Sequence, residues 1–231
     1  MGLFAPAPRL AAAPLAIICL LAASCGLAQE IALPGPSLSG PVPVEQALNE
    51  RRTRRAYADQ PLSRQQLAQM LWAAYGVTGR RHGLELKTAP SAGALYPLDI
   101  YAVLGQGSVE GLEAGCYRYL PGEHALAPAR PGDLRQELAQ ASLGQTWMAR
   151  APLILVITGE YRRCSVKYGP RGVIYTHIEA GHVGQNVFLQ AQALGLAAGI
   201  VGAFDNRRLA GALGLPPEHD PLLAMPVGWP E

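Results

Sequence analysis

The chain has 231 residues, 49% of them hydrophobic and 16% charged, which is enough apolar content for one sizeable core and too much for a disordered chain. Lys and Arg number 19 against 17 Asp and Glu, and a formal net charge of +2 argues against a protein built to coat nucleic acid. No internal repeat or long low-complexity run interrupts the body of the chain.

The first thirty residues stand apart. Arg9 is the only charged side chain before Glu30, an apolar run follows over residues 10–23, and small residues cluster around Ser24-Cys25-Gly26-Leu27-Ala28. A short positive region, an apolar stretch and a small-residue cleavage zone make up a secretory signal. The run is short of the ~20 apolar residues that a membrane span needs. Residues 1–28 are therefore expected to be an export signal, with the bacterial periplasm as destination. Leu21-Ala22-Ala23-Ser24-Cys25 resembles a lipoprotein box with Leu one position too far from the cysteine, so the expected route to a membrane is a lipid on Cys25. Cys116 and Cys164 remain in the mature chain, as buried thiols or as one bridge.

Residues 29–43, rich in Pro, Gly and Ser, read as a linker, and residues 44–231 as one domain. A short helix over 44–50 delivers Arg51-Arg52-Thr53-Arg54-Arg55-Ala56-Tyr57, the densest positive charge in the chain. Arginine presents planar forks of N–H donors that match phosphate oxygens, so this stretch is either an anion site or a solvated face. Ser63 is a good N-cap for a helix that runs to Gly76 on Leu67, Met70, Leu71 and Ala74. Residues 79–87 read as a basic, polar loop. In Thr88-Ala89-Pro90-Ser91-Ala92-Gly93-Ala94-Leu95-Tyr96-Pro97, two prolines bracket small residues that would let backbone approach a ligand; a plain turn is the bland alternative.

Strands are expected over 99–104 and 116–120, a helix over 134–142, and a central strand over the β-branched run 153–158. Residues 161–172 read as a second basic loop, and 173–194 as the longest helix. A Gly-rich strand over 197–204, a helix over 207–213 and a last strand over 222–227 complete an α+β order around a central sheet. His177, Glu179 and His182 invite a metal reading. The two histidines are five apart and diverge on a helix, so no metal site is assigned, and a buried polar cluster is the expectation.

Six pieces of the chain resemble, in order, the FMN-dependent nitroreductase family, in particular its SagB-like branch of thiazoline and oxazoline dehydrogenases. They are Arg51-Arg52-Thr53-Arg54-Arg55-Ala56-Tyr57, the 88–97 segment, Lys167-Tyr168-Gly169, Glu179-Ala180-Gly181-His182 with Gln185-Asn186, Gly202-Ala203-Phe204-Asp205, and Pro226-Val227-Gly228. The resemblance implies a central mixed β-sheet surrounded by helices, in a homodimer with FMN at the interface. Carried over by position, Arg51, Arg52, Thr53 and Arg55 would hold the phosphate, ribityl chain and pyrimidine edge. Pro90, Ser91, Ala92, Gly93 and Leu95 would reach the flavin from the other subunit, and Gly202 and Ala203 would bring backbone N–H groups to its N5 and O4. Gly202 replaces a Glu common in the classical nitroreductases. Lys167 and Tyr168 match an acid/base pair of the azoline dehydrogenases, where proton removal from carbon accompanies hydride transfer.

The function so implied is FMN-dependent oxidoreduction by ping-pong hydride transfer through N5, with NAD(P)H as the usual donor of the family and a small molecule or peptide as substrate. Two alternatives stay open: an azoline dehydrogenase acting on a modified peptide, and a catalytically degenerate flavin-binding dimer.

Overall fold

The computed structural model describes residues 1–2 and 29–231, so the expected signal segment, with Cys25, lies outside the described residues. Among the described residues six α-helices, a seven-stranded sheet and a two-stranded hairpin make up the fold: β1 (Ile31–Ala32), α1 (Val44–Glu50), α2 (Arg64–Tyr75), β2 (Val77–Arg81), β3 (Leu84–Lys87), β4 (Leu98–Leu104), β5 (Gly115–Leu120), β6 (Ala125–Pro131), α3 (Arg135–Ala141), β7 (Leu153–Gly159), α4 (Tyr161–Tyr168), α5 (Arg171–Ala193), β8 (Ala197–Ala198), α6 (Asn206–Leu213) and β9 (Asp220–Gly228). The strand order is β1-β6-β5-β4-β7-β9-β8, while β2 and β3 form a separate hairpin. All the ladders run antiparallel, and parallel pairing enters at single bridges, Thr53 with Ala198 and Leu62 with Val109. The architecture is the expected α+β sheet wrapped by helices.

β4 and β7 are buried along their whole length, as continuous apolar strands covered on both faces should be. Their period of two sorts the side chains. Ile100, Ala102, Leu155 and Ile157 enter a core shared with Leu67 and Leu71 of α2 and with Val183 and Val187 of α5. Tyr101, Val103, Ile154 and Val156 enter a second core with Leu138 of α3 and Leu209 and Leu213 of α6.

Three stretches differ from the sequence reading. Residues 79–87 are not a loop: Arg80 pairs with Glu85 across a two-stranded hairpin whose turn, His82-Gly83, has positive φ at both residues. Residues 161–168 are helix rather than basic loop, although Cys164 is the one buried residue of α4. The strand expected over 197–204 shortens to Ala197–Ala198, with Val201 bridging back to Ala224. β6 escaped notice because Pro128 and Pro131 argue against a strand; both lie near the sheet edge, where a missing N–H is tolerated.

Residues 29–43, expected as linker, are tied to the body. β1 pairs with β6, the Gln69 amide accepts from Ser37 N and donates to Ser37 O at 2.8 and 3.1 Å, and Arg64 donates to Ala32 O at 2.7 Å. Cys116 and Cys164 are buried free thiols, and burial pushes the Cys116 thiol up to about 12. Among the described residues no helix is long and apolar enough to cross a membrane.

The start of α2 is a full capping box: Gln66 N donates to the Ser63 hydroxyl at 3.1 Å, and Ser63 N donates to the Gln66 side chain at 2.9 Å. Ser63→Ala should lower stability by about 1 kcal/mol. Urea unfolding measures it, and an unchanged midpoint would remove the box from the forces that fix α2.

Candidate functional site

The arginine stretch runs as an extended strip along the sheet edge. Thr53 bridges to Ala198, Arg54 N donates to Ala198 O at 2.9 Å, the buried Tyr57 hydroxyl donates to Pro226 O at 3.0 Å, and Ala58 N donates to Trp229 O at 3.0 Å. With its backbone held on β8 and β9, the strip leaves Arg52, Thr53, Arg54 and Arg55 exposed. Arg51, half-buried, stacks 5.4 Å over the Phe188 ring, and Arg55 lies 5.6 Å over Trp147. Arg52 turns back to donate to Asn49 O and Arg51 O at 2.8 Å, satisfying carbonyls at the end of α1. Among the described residues none of these four guanidinium groups makes a salt bridge. Gly202 and Ala203, exposed, follow the Val201–Ala224 bridge, and a Cβ at Gly202 would meet nothing closer than Leu223 at 3.9 Å.

The second group gathers at the other half of α5. Pro90 is exposed, and Ala92–Ala94 form a single tight turn in which Gly93 has φ of 62°. The Ser91 hydroxyl accepts from Tyr96 N at 2.9 Å, and Leu95 is half-buried. α4 brings Lys167 and Tyr168 directly against this turn: a Cβ built on Gly93 would lie 2.6 Å from the Tyr168 hydroxyl and 3.0 Å from Lys167 Nζ. Tyr168 is fixed edge-on against Tyr175 of α5, with ring centroids 5.1 Å apart.

Beneath the turn lies a polar layer that the sequence reading only partly foresaw. Glu179, 2% exposed, accepts from the Tyr75 hydroxyl at 2.6 Å. Burial pushes its carboxyl upward, against the hydroxyls of Ser91 and Tyr75 and the charge of Lys87. Lys87 Nζ is clasped between the rings of Tyr75 and Tyr96, at 4.1 and 4.8 Å from their centroids, and burial pulls its amine downward. No motif flagged Lys87; the signal was the alternation Leu84-Glu85-Leu86-Lys87, which puts the charges on the inward side of β3. His177, Glu179 and His182 do not converge. His177 is exposed beside the Tyr161 hydroxyl at 3.2 Å, Glu179 points inward, and His182 is exposed.

Within one chain the two groups do not meet. Arg51 touches α5 at Phe188, whereas Tyr75 meets it at Glu179 and Tyr168 at Tyr175. Nine residues of helix, from Glu179 to Phe188, span about 13 Å. Along α5, Ile174, Ile178, Gly181, His182 and Gln185 are exposed on one face, the last three of them between Glu179 and Phe188.

This fold is that of the nitroreductase-like oxidoreductases. A solved structure from Ralstonia eutropha JMP134, provisionally named a nitroreductase, superposes with a TM-score of 0.75 at 31% identity, covering 87% of this chain and 90% of that one. Residues 48–229 match the nitroreductase family, and the chain belongs to it. A protein of Methanocaldococcus jannaschii, also provisionally named a nitroreductase, is 43% identical over 187 residues, 81% of this chain and 91% of its own length. The microcin B17-processing protein McbC of Escherichia coli is 31% identical over 110 residues, which span 46% of this chain and 40% of McbC. The chain is accordingly an oxidoreductase.

Gly93 and Tyr168 offer a direct check on the contact that joins α4 to the 90–95 turn. Gly93→Ala should cost about 1–2 kcal/mol, from the left-handed φ and from the methyl forced against the Tyr168 hydroxyl. Tyr168→Phe removes that oxygen and should recover part of the loss in the double variant. Unfolding of both singles and the double gives the coupling, and strictly additive losses would mean that the two residues do not touch.

Proposed function

We propose that this protein is an FMN-dependent oxidoreductase acting as a homodimer, with each FMN held between the arginine strip of one subunit and the 90–95 turn of the other. The observation that carries the reading is the separation of the two groups along α5. Each is incomplete alone, and the face of α5 that runs from beside the one toward the other is exposed, with Ile174 and Ile178 at 47% and 50% exposure. A two-fold axis near Gly181 would cross two copies of α5 head to tail, bringing the Lys167 end of one helix toward the Phe188 end of the other.

The residues present suit this cofactor. Among the described residues the guanidinium groups of Arg51, Arg52 and Arg55 make no salt bridge, which suits a phosphate close to a dianion, and Thr53 adds a hydroxyl beside them. Gly202 and Ala203 leave backbone uncovered where a flat ring would need it. FMN, when bound, supplies a hydride acceptor and donor at N5. Lys167 and Tyr168 then act on the proton: they are the ionisable groups that close on Gly93, and a second subunit laid over them would exclude water from their reach.

A second reading is favoured by one observation, the convergence of Lys167 and Tyr168 on Gly93. In it the substrate is an azoline in a modified peptide: Lys167 takes the proton from carbon as hydride leaves. The similarity to McbC is consistent with this reading. We also propose that the protein is exported. NAD(P)H is scarce outside the cytoplasm, so the donor there would be a substrate that carries its own hydride, or a reduced quinone.

The visible spectrum of residues 29–231, purified and incubated with FMN, should show bound flavin that sediments with a dimer. Bleaching by anaerobic NADPH would identify the donor; bleaching by dithionite alone would point to another. Ile178→Glu should yield monomers that also lose FMN, and a monomer that keeps it would overturn the shared site. No bound flavin at all would sink the reading and leave the arginines as an anion site of another kind.

A further inference from the structure

Arg163 is absent from the motifs that carry the family resemblance and belongs to neither group of cofactor residues, yet it makes three separate contacts. Its Nη2 is 2.8 Å from Asp99 Oδ2, its Nε is 2.7 Å from Glu160 Oε2, and its Nη1 donates to Tyr96 O at 3.4 Å. Tyr96 and Asp99 lie just beyond the 90–95 turn. Lys167 follows Arg163 by four residues, so both rise from one face of α4. Along that face α4 is fastened to residues 93–99 twice, by Lys167 and Tyr168 at Gly93 and by Arg163 at Tyr96 and Asp99.

On its other side the helix packs on α5, at Tyr168–Tyr175, at Tyr161–His177 and with the Cys164–Ser165 backbone close against Gly172, and it is Arg163 that ties it toward residues 96–99. α4 has eight residues, no side-chain N-cap and one buried residue, Cys164, and a helix so short does not stand without tertiary support. Asp99, by contrast, is firmly placed. It is 7% exposed on a central strand, and its Oδ1 accepts from Arg118 at 2.7 and 3.0 Å.

We infer that Arg163 is a positioning residue for Lys167 and Tyr168: by clamping α4 to Asp99 and to the Tyr96 carbonyl, it sets where the lysine amine and the tyrosine hydroxyl stand over the Gly93 turn. The inference rests on the proposed role of that pair as the proton-handling groups of the site.

Amide exchange measured on the full protein without added flavin tests the clamp independently of turnover. In Arg163→Met, residues 163–169 should exchange about tenfold faster than in the parent, after correction for intrinsic rates. Arg163→Lys, which keeps the charge but reaches fewer acceptors, should fall between, and it serves the same test if Arg163→Met does not fold. Arg162→Met, on the exposed side of α4, should match the parent.

With FMN bound, kcat should fall in Arg163→Met with KM little changed. Adding Arg163→Met to the Lys167→Ala/Tyr168→Phe chain should slow it no further, because the clamp acts through those two groups. Equal protection of α4 in Arg163→Met and parent, or a further loss in the triple variant, would overturn the proposal. If Lys167→Ala turned over normally, the acid–base reading itself would fail, a result separable from failure of the clamp because exchange does not depend on catalysis.

Discussion

The packing of α5 on the sheet is the constraint on which the rest depends. Ala180, Val183, Val187 and Ala191 are buried in the core that also holds Leu155, Ile157, Met225 and Val227 of the central strands. Once that face is spent, the axis and rotation of a 23-residue helix about 34 Å long are fixed. Other parts are then attached at set heights: Tyr168 at Tyr175, Tyr75 at Glu179, the Thr88 carbonyl at Asn186, Arg51 at Phe188 and Glu50 at Gln192. The helix works as a ruler, and the two groups of candidate residues are two marks on it.

Charge is handled in opposite ways at the two ends. The arginines of the strip are exposed, apart from the half-buried Arg51, and among the described residues none pairs with a carboxylate, which costs little in water and leaves them ready for an anion. Near Asp99 the carboxylate is buried and its partners half-buried, and there the charges are matched: two guanidiniums on one carboxylate, with Glu160 on the second. Buried charge demands pairing because an unpaired ion in a low-dielectric interior is strongly penalised. Lys87 meets the same demand differently, with two aromatic faces as its nearest company and with carboxylates further off.

Much of this was legible in the sequence. The β-branched run at 153–158, the Ser63 cap and the length of α5 follow from local chemistry, and the structure has all three. The six motifs also contain most residues of the two groups that the fold gathers along α5. What could not be read was which pieces meet, because Lys167 reaches Gly93 across 74 positions of chain through a helix with almost no apolar pattern. α4 is stabilised by Arg163 and by packing on α5, neither of which leaves a periodic trace. The β2–β3 hairpin was hidden for a related reason: its leucines face outward and its lysine inward, the reverse of the pattern that identifies a strand. Arg163 and Lys87 were overlooked because a lone basic residue in a polar stretch looks the same whether it is solvated or buried.

The place of β9 has a consequence for the order in which the molecule can assemble. It is the last strand in the chain, yet it lies between β7 and β8, pairing with both. The arginine strip in turn hangs on β8 and on the end of β9, through Ala198, Pro226 and Trp229. Until β9 is made, β7 has one open flank, β8 has no partner strand and the strip lacks its bonds to Pro226 and Trp229. A chain emerging from the ribosome therefore cannot complete its sheet, or shape its positive edge, before β9 has followed the strands it joins.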